Sequence, residues 1–439
     1  MSRRIGWVSK PVRSPLHGEI IVPGDKSISH RAIMLAALAE GTSTIEGFLE
    51  GEDTRATAAI FSAMGVEVET PSVSRRIVHG VGLHGLAKPL TTLDCGNAGT
   101  AMRLLVGLLA GQQFDTVLTG DVSLSRRPMR RVIDPLRAMG ARIEAEAGDL
   151  PPLHVGGNAS LRGVTSTPPV ASAQVKSALL FAGLYADGET EVREIRPTRD
   201  YTERMLARFG WPVTFEPGKT RLSGGHRLHA TDVVVPTDFS SAAFFIVAAT
   251  LVPGSQILLR AVGLNPRRTG LLQALRLMGA DIRQINERDQ GGERVADLDV
   301  RHAPLRGIRL PHELVADMID EFPILFVAAA AAEGITTISG AAELRVKESD
   351  RIAVMASGLR RLGIAVEERP DGVVIHGAPM RGGAVDSAGD HRCAMSFAVA
   401  GLIARAAVQI DDCANVATSF PSFVELATTS GFALSSSVD

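Results

Sequence analysis

The sequence predicts an α/β fold of two similar domains, each made of three repeated β/α units with buried central helices. Three observations carry this expectation. Six segments share an apolar helix end, a glycine and an alternating strand: IFSAMGVEVE, PLRAMGARIE, MLARFGWPVTF, ALRLMGADIR, GLRRLGIAVE and LATTSGFALS. Their glycines (Gly65, Gly140, Gly210, Gly279, Gly363 and Gly431) are spaced by 68 to 84 residues. Ahead of each glycine lies an Ala-rich helix that is apolar on nearly every face, the pattern of a helix enclosed by its own domain. At ~100–200 residues per domain, 439 residues favour two domains, so six units divide as three plus three. The unit is too long for a solenoid repeat of ~20–50 residues.

The elements follow in order within each unit. The Ala-rich helices SHRAIMLAALAEG, AGTAMRLLVGLLAG, AQVKSALLFAGLYADG, SSAAFFIVAATLVPG, DEFPILFVAAAAAEG and HRCAMSFAVAGLIA begin near Ser29, Gly99, Ala173, Ser240, Asp320 and His391. Short strands such as STIEG, ETEVRE, SQILLRA and TTISGA come after most of them. An outer helix then ends at the repeated glycine, read as a left-handed C-cap where a Cβ would clash. The alternation that follows is that of a half-buried strand.

Composition removes several classes of function. Lys+Arg is 46 against 48 Asp+Glu, a net charge of −2, so there is no general attraction for polyanions. Aromatic residues make up 4%, too few for base-stacking platforms. Cys95, Cys393 and Cys413 are too scattered for a disulfide scaffold or a metal knuckle, and a reducing cytoplasm is the expected location. The basic N-terminus has no apolar run behind it, unlike a secretory signal. The longest uncharged stretch, Phe239 to Leu259, is broken by Pro253-Gly254.

The concentrated polar motifs stand at the starts of the buried helices: PGDKSISHR, CGNAGTAMR, SAQVKS, PTDFSS, MIDEFP and GDHR. A helix start offers free N–H groups and partial positive charge, which suits an anion. Ser, Asp and Asn are also ordinary N-caps, and for PTDFSS capping is the preferred reading. Caps leave Lys26, Arg31, Arg103, Gln174, Lys176 and Arg392 unexplained. More basic residues fall in LSRRPMRR (Arg126, Arg127, Arg130, Arg131), RPTRDYTE (Arg196, Arg199) and RVKESDR (Arg345, Lys347, Arg351). Together they point to a small, multiply anionic ligand, because a guanidinium binds two phosphate or carboxylate oxygens at once. Acid–base candidates are Asp320, Glu321, Glu348, Asp350 and Asp390, although Glu348 and Asp350 also fit a surface ion-pair ladder. No GxxxxGK[ST], HExxH or GxSxG motif is present and no GxGxxG opens a helix after a strand, so neither a metal nor a nucleotide cofactor is expected.

From PGDKSISHRA to TSFPSF, with GNAGTAMR, RVKESDR and DHR between, the chain resembles the 5-enolpyruvylshikimate-3-phosphate synthase family. SAQVKSALLFAGL, TRDYTE and MIDEFPIL look like its second bacterial class. The resemblance implies the enolpyruvyl transferase fold, with one domain over 24–237 and the other over 1–23 plus 238–439. The six buried-helix starts would face an interdomain cleft. It implies transfer of the enolpyruvyl group of phosphoenolpyruvate to the 5-hydroxyl of shikimate 3-phosphate, by a monomer without cofactor or metal, and inhibition by glyphosate. Matched motif by motif, shikimate 3-phosphate would meet Lys26, Ser27, Arg31, Ser172, Ala173, Gln174, Arg199, Asp320 and Lys347. Phosphoenolpyruvate would meet Lys26, Asn97, Gly99, Thr100, Arg127, Gln174, Arg351 and Arg392. Asp320, Glu348 and Lys26 would be catalytic: base at the hydroxyl, proton shuttle at C3 and support for the leaving phosphate.

Three positions depart from the pattern of the enteric class, which has Ser at Ala173, Lys at Thr418 and Asn at Glu343. The sister transferase acting on UDP-N-acetylglucosamine is the nearest alternative, but it carries a loop Cys that LSRRPMRR lacks. A non-catalytic phosphosugar-binding protein would not be expected to keep both Asp320 and Glu348.

Overall fold

The computed structural model describes residues 5–158 and 160–438. In each repeat a buried helix and an outer helix pack on a small sheet. The helices pair as α1 (Lys26–Leu38) with α2 (Glu52–Ala63), α3 (Gly99–Leu109) with α4 (Arg130–Ala138), and α5 (Ala173–Gly183) with α6 (Tyr201–Arg208). They continue as α7 (Phe239–Leu251) with α8 (Gly270–Leu277), α9 (Phe322–Ala331) with α10 (Arg351–Arg361), and α11 (His391–Ile403) with α12 (Phe423–Thr429). The first helix therefore starts three residues before Ser29, because Asp25 caps it by accepting from Ile28 N at 2.9 Å. The glycines that end the outer helices all have φ between 82° and 105°, as a left-handed cap requires.

The third repeat shows the sheet pattern. Thr165–Ser166 runs parallel to Glu189–Arg193, which pairs antiparallel with Lys219–Ser223, itself in a hairpin with Val213–Glu216. The parallel pair needs a crossover, and α5 provides it. Three repeats take a strand from a distant part of the chain. Val233–Val234 runs parallel to Glu40–Glu46 and completes the first. His17–Ile20 runs parallel to Gln256–Gly263 in the fourth. Ile5–Lys10 inserts antiparallel between Val408–Asp411 and Ala433–Val438 in the sixth.

Two compact units result. One comprises Gly24–Val235 with Gln290–Glu293; the other comprises Met1–Pro23, Pro236–Asp289 and Arg294–Asp439. Below they are the N-terminal and C-terminal units. Each has its own apolar core, built around α1, α3 and α5 in the first and α7, α9 and α11 in the second. These helices are wrapped by protein on all sides, which is why their sequences lack a polar face. At Gly107 a Cβ would run into the Ala178 backbone, so glycine is what lets α3 and α5 approach this closely. No helix among the described residues is long and apolar enough to cross a membrane.

Candidate active site

In the N-terminal unit, Lys26 opens α1 and pairs with Asp53 at the start of α2; its side chain is 20% exposed against 4% for Asp53. Arg31 lies one turn further on and is buried. Its Nε donates to Thr202 Oγ1 at 2.7 Å, Nη1 to the Ser27 carbonyl at 2.8 Å and Nη2 to Ser177 Oγ at 2.8 Å. Burial, with Arg199 close by, pushes its pKa down to about 10. Arg31 thus ties α1, α5 and α6 together at their starts. Ser172 caps α5, accepting from Val175 N at 3.4 Å, and Ala173 follows it, buried.

Gln174 joins the starts of α3 and α5. Its Oε1 accepts from Arg103 Nη1 at 2.8 Å, and its Nε2 donates to Thr100 Oγ1 at 2.9 Å. Arg127 Nη2 donates to Asn97 Oδ1 and to Ser123 Oγ, both at 2.9 Å. Helix α3 has no side-chain cap. A Cβ built on Gly99 would lie 3.1 Å from Arg103 Nη1 and 3.2 Å from Arg127 Nη1. Two guanidiniums therefore converge on an uncapped helix start, an arrangement suited to a phosphate or carboxylate.

In the C-terminal unit the polar residues gather around Asp320, just ahead of α9. Its Oδ2 accepts from Arg268 Nη1 at 2.9 Å. Its Oδ1 lies 3.8 Å from Lys347 Nζ and 3.7 Å from Arg351 Nη1. Arg392 Nη1 donates to the Asp320 carbonyl at 3.2 Å and lies 3.5 Å from Glu321 Oε1. Arg351 is engaged on two further sides: Nε donates to Asp390 Oδ2 at 2.8 Å and Nη2 to Glu348 Oε2 at 2.6 Å. Its Nη1 has no hydrogen-bond partner among the described residues.

Burial pulls the Lys347 ammonium below the usual lysine range, against the opposing pull of Asp320 and Glu343. Burial also resists the charge on Asp390, but the Arg351 guanidinium outweighs it and holds that carboxyl below its ordinary value. Exposure differs sharply across the cluster. Glu348 is 27% exposed, Lys347 19% and Asp320 15%, whereas Arg351 is 1% and Asp390 0%.

Other residues singled out in the sequence have structural roles. Asp390 caps α11 through the N–H groups of Arg392 and Cys393. Asp350 caps α10 and pairs with Arg345 at 2.7 Å, and Arg345 continues to Glu368 at 3.1 Å, an ordinary surface ladder. Asp238 caps α7 by accepting from Ser240 N at 3.0 Å, as expected for PTDFSS. Lys176 is a correction to the anion-site reading. It is buried between Glu194 at 2.9 Å and Glu203 at 2.8 Å, so its charge is balanced inside the protein. Thr418 turns its hydroxyl back onto the Asn415 carbonyl at 2.7 Å.

Two buried partners escaped the sequence reading: Asp53 beside Lys26, and Arg268 beside Asp320. Both stand at the start of an outer helix, as do Arg127, Arg199 and Arg351, so aligning the repeats on their outer helices was the signal available. A cavity of about 580 Å³ on the sheet of the second repeat is lined by Thr92, Arg142, Glu144 and His154, among others, and by none of these site residues.

A model of the EPSP synthase (3-phosphoshikimate 1-carboxyvinyltransferase) family matches residues 11–426. The chain belongs to this family. It is 66% identical over 429 residues to a 3-phosphoshikimate 1-carboxyvinyltransferase of Xanthomonas campestris pv. campestris (strain B100), covering 98% of each chain. It is 63% identical to that of Xanthomonas oryzae pv. oryzae (strain PXO99A), covering 98% of this chain and 97% of the relative. Among solved structures, EPSP synthase from Acinetobacter baumannii superposes with a TM-score of 0.89 at 49% identity, over 99% of this chain and 100% of the other. Membership identifies the chain as a transferase of the shikimate route to aromatic amino acids. It moves the enolpyruvyl group of phosphoenolpyruvate to the 5-hydroxyl of shikimate 3-phosphate and releases phosphate. The UDP-N-acetylglucosamine alternative is not favoured.

Proposed function

We propose that the side chains described above perform this transfer. Shikimate 3-phosphate is held by Lys26, Ser27, Arg31, Ser172, Ala173, Gln174 and Arg199, with Lys347 approaching its reacting hydroxyl. Phosphoenolpyruvate is held by Lys26, the Asn97-to-Thr100 turn including Gly99, Arg127, Gln174, Arg351 and Arg392. Asp320 takes the proton of the 5-hydroxyl as that oxygen attacks C2. Glu348 gives a proton to C3, forming a tetrahedral adduct. Glu348 then takes a proton back from C3 as the bond from C2 to the phosphate oxygen breaks, and Lys26 steadies the departing phosphate.

The observation that carries this reading is the way one buried guanidinium serves both acids. Arg351 lies 3.7 Å from Asp320 and 2.6 Å from Glu348. Both carboxylates are thereby positioned by one rigid group while remaining within reach of solvent or substrate. The protein works as a monomer in the cytoplasm, and glyphosate inhibits it at the phosphoenolpyruvate site.

Glu348→Gln tests the assignment. It keeps the shape but removes proton exchange, so turnover should fall ~10²–10⁴-fold with little change in shikimate 3-phosphate binding. Exchange of solvent deuterium into C3 of phosphoenolpyruvate should fall in parallel. Near-normal turnover would make Glu348 a mere partner of Arg351.

A further inference from the structure

We propose that Arg268 is a positioning residue for the transfer, fixing which oxygen of Asp320 receives the proton and keeping that carboxylate ionised. The inference rests on Asp320 being the base, as proposed above.

Arg268 ends the loop that follows strand Gln256–Gly263, two residues ahead of α8, and its side chain is 5% exposed. It is held between the starts of two buried helices. Nη1 donates to Asp320 Oδ2 at 2.9 Å, ahead of α9. Nη2 donates to Ser240 Oγ on the first turn of α7, and that hydroxyl in turn donates a hydrogen bond to Glu321 Oε1. Asp238 lies 3.6 Å and Glu321 4.0 Å from Nη2. A planar guanidinium held on two sides cannot rotate without breaking both contacts.

The consequence falls on Asp320. With Oδ2 engaged by Arg268, the carboxylate plane is set and Oδ1 is the oxygen on the side of Lys347 and Arg351. That is the side where a hydroxyl beside Lys347 would deliver its proton. The cations facing this carboxylate are Arg268 ahead of α8 and Lys347 and Arg351 around the start of α10, while Arg392 on α11 reaches only the Asp320 main-chain carbonyl. The acidic groups of the cluster are Glu321, Glu343 and Glu348, which pair with Arg392, Lys347 and Arg351. Arg268 makes the shortest side-chain contact to Asp320 among these cations, so its removal should affect the base most.

Arg268→Gln and Arg268→Lys, each with and without Asp320→Asn, provide the test, using phosphate release from phosphoenolpyruvate and shikimate 3-phosphate across pH. Asp320→Asn alone should abolish most turnover. Arg268→Gln should lower kcat about ten- to hundredfold with a smaller change in the KM for phosphoenolpyruvate. It should also move the acidic limb of the kcat/KM profile up by about one pH unit or more, because a neighbouring cation favours the ionised carboxylate. Arg268→Lys should keep the limb near its original place. On the Asp320→Asn background, Arg268→Gln should cost nothing further.

If Arg268→Gln lowers thermal stability while the limb and kcat stay put, Arg268 is only a structural tie and the proposal fails. If Asp320→Asn itself retains turnover, the base assignment falls, and the role of Arg268 falls with it. Should Arg268→Gln not fold, the Lys variant decides alone: a lowered kcat with the limb in place supports positioning by the guanidinium fork, and an unchanged kcat contradicts it.

Discussion

Arg351 Nε donates to Asp390 Oδ2 at 2.8 Å, and both side chains are shut away from water. Asp390 simultaneously caps α11, and Arg351 simultaneously holds Glu348. One buried ion pair therefore fixes a helix start and orients a candidate proton shuttle.

Asp390→Asn should destabilise the protein by ~3–5 kcal/mol, because the buried Arg351 loses the counter-charge buried with it and keeps only the more exposed Glu348 and Asp320. The pH dependence has a definite sign. The folded-state pKa of Asp390 is depressed below 3.8, so its contribution is fully present above that value and is lost as pH falls through the lower folded value. Thermal melts of both proteins should differ most near neutral pH and converge below about pH 4. A constant difference down to pH 2 would contradict the assignment.

Lys176→Met should also destabilise by ~3 kcal/mol or more, since Glu194 and Glu203 would be left buried without their cation. Burial already raises the pKa of Glu203 even with the lysine in place. At temperatures where the variant stays folded, kcat and both KM values should match the wild type. A rise in either KM would return Lys176 to the ligand site.

Gly99→Ala concerns glyphosate. The added methyl would stand 3.1 Å from Arg103 Nη1 and 3.2 Å from Arg127 Nη1, so both guanidinium tips must give way by a few tenths of an ångström. Overpacking of this kind costs ~1–3 kcal/mol, or about ten- to hundredfold in affinity. The wild type should be inhibited by glyphosate, and the variant's inhibition constant should rise by a larger factor than its KM for phosphoenolpyruvate. Parallel titrations giving equal factors would mean that the turn does not discriminate between the two.

The repeat architecture could be read from the sequence because each unit marks itself twice, with an enclosed Ala-rich helix and a left-handed glycine. The N-terminal strands left no such mark. Ile5–Lys10 pairs with residues about four hundred positions away, and nothing in IGWVSK names its partners. Among the site residues, those in dense motifs such as KESDR were easy to notice. Arg268 and Asp53 were missed because NPRRTG and GEDTRA look like solvated charge ahead of an outer helix. Lys176 was misjudged for the opposite reason: it sits in a suggestive motif, but the acids that balance it lie on Glu189–Arg193's following turn and on α6, out of sight in a linear reading.

Acceptor choice is the most direct test of the transfer of the enolpyruvyl group to shikimate 3-phosphate. Phosphate release should be measured with phosphoenolpyruvate and each acceptor in turn, shikimate 3-phosphate and UDP-N-acetylglucosamine, without added metal. Stoichiometric phosphate with the first, none with the second, and loss of the signal in Glu348→Gln is the result expected. Turnover with UDP-N-acetylglucosamine, or none with shikimate 3-phosphate, would contradict it.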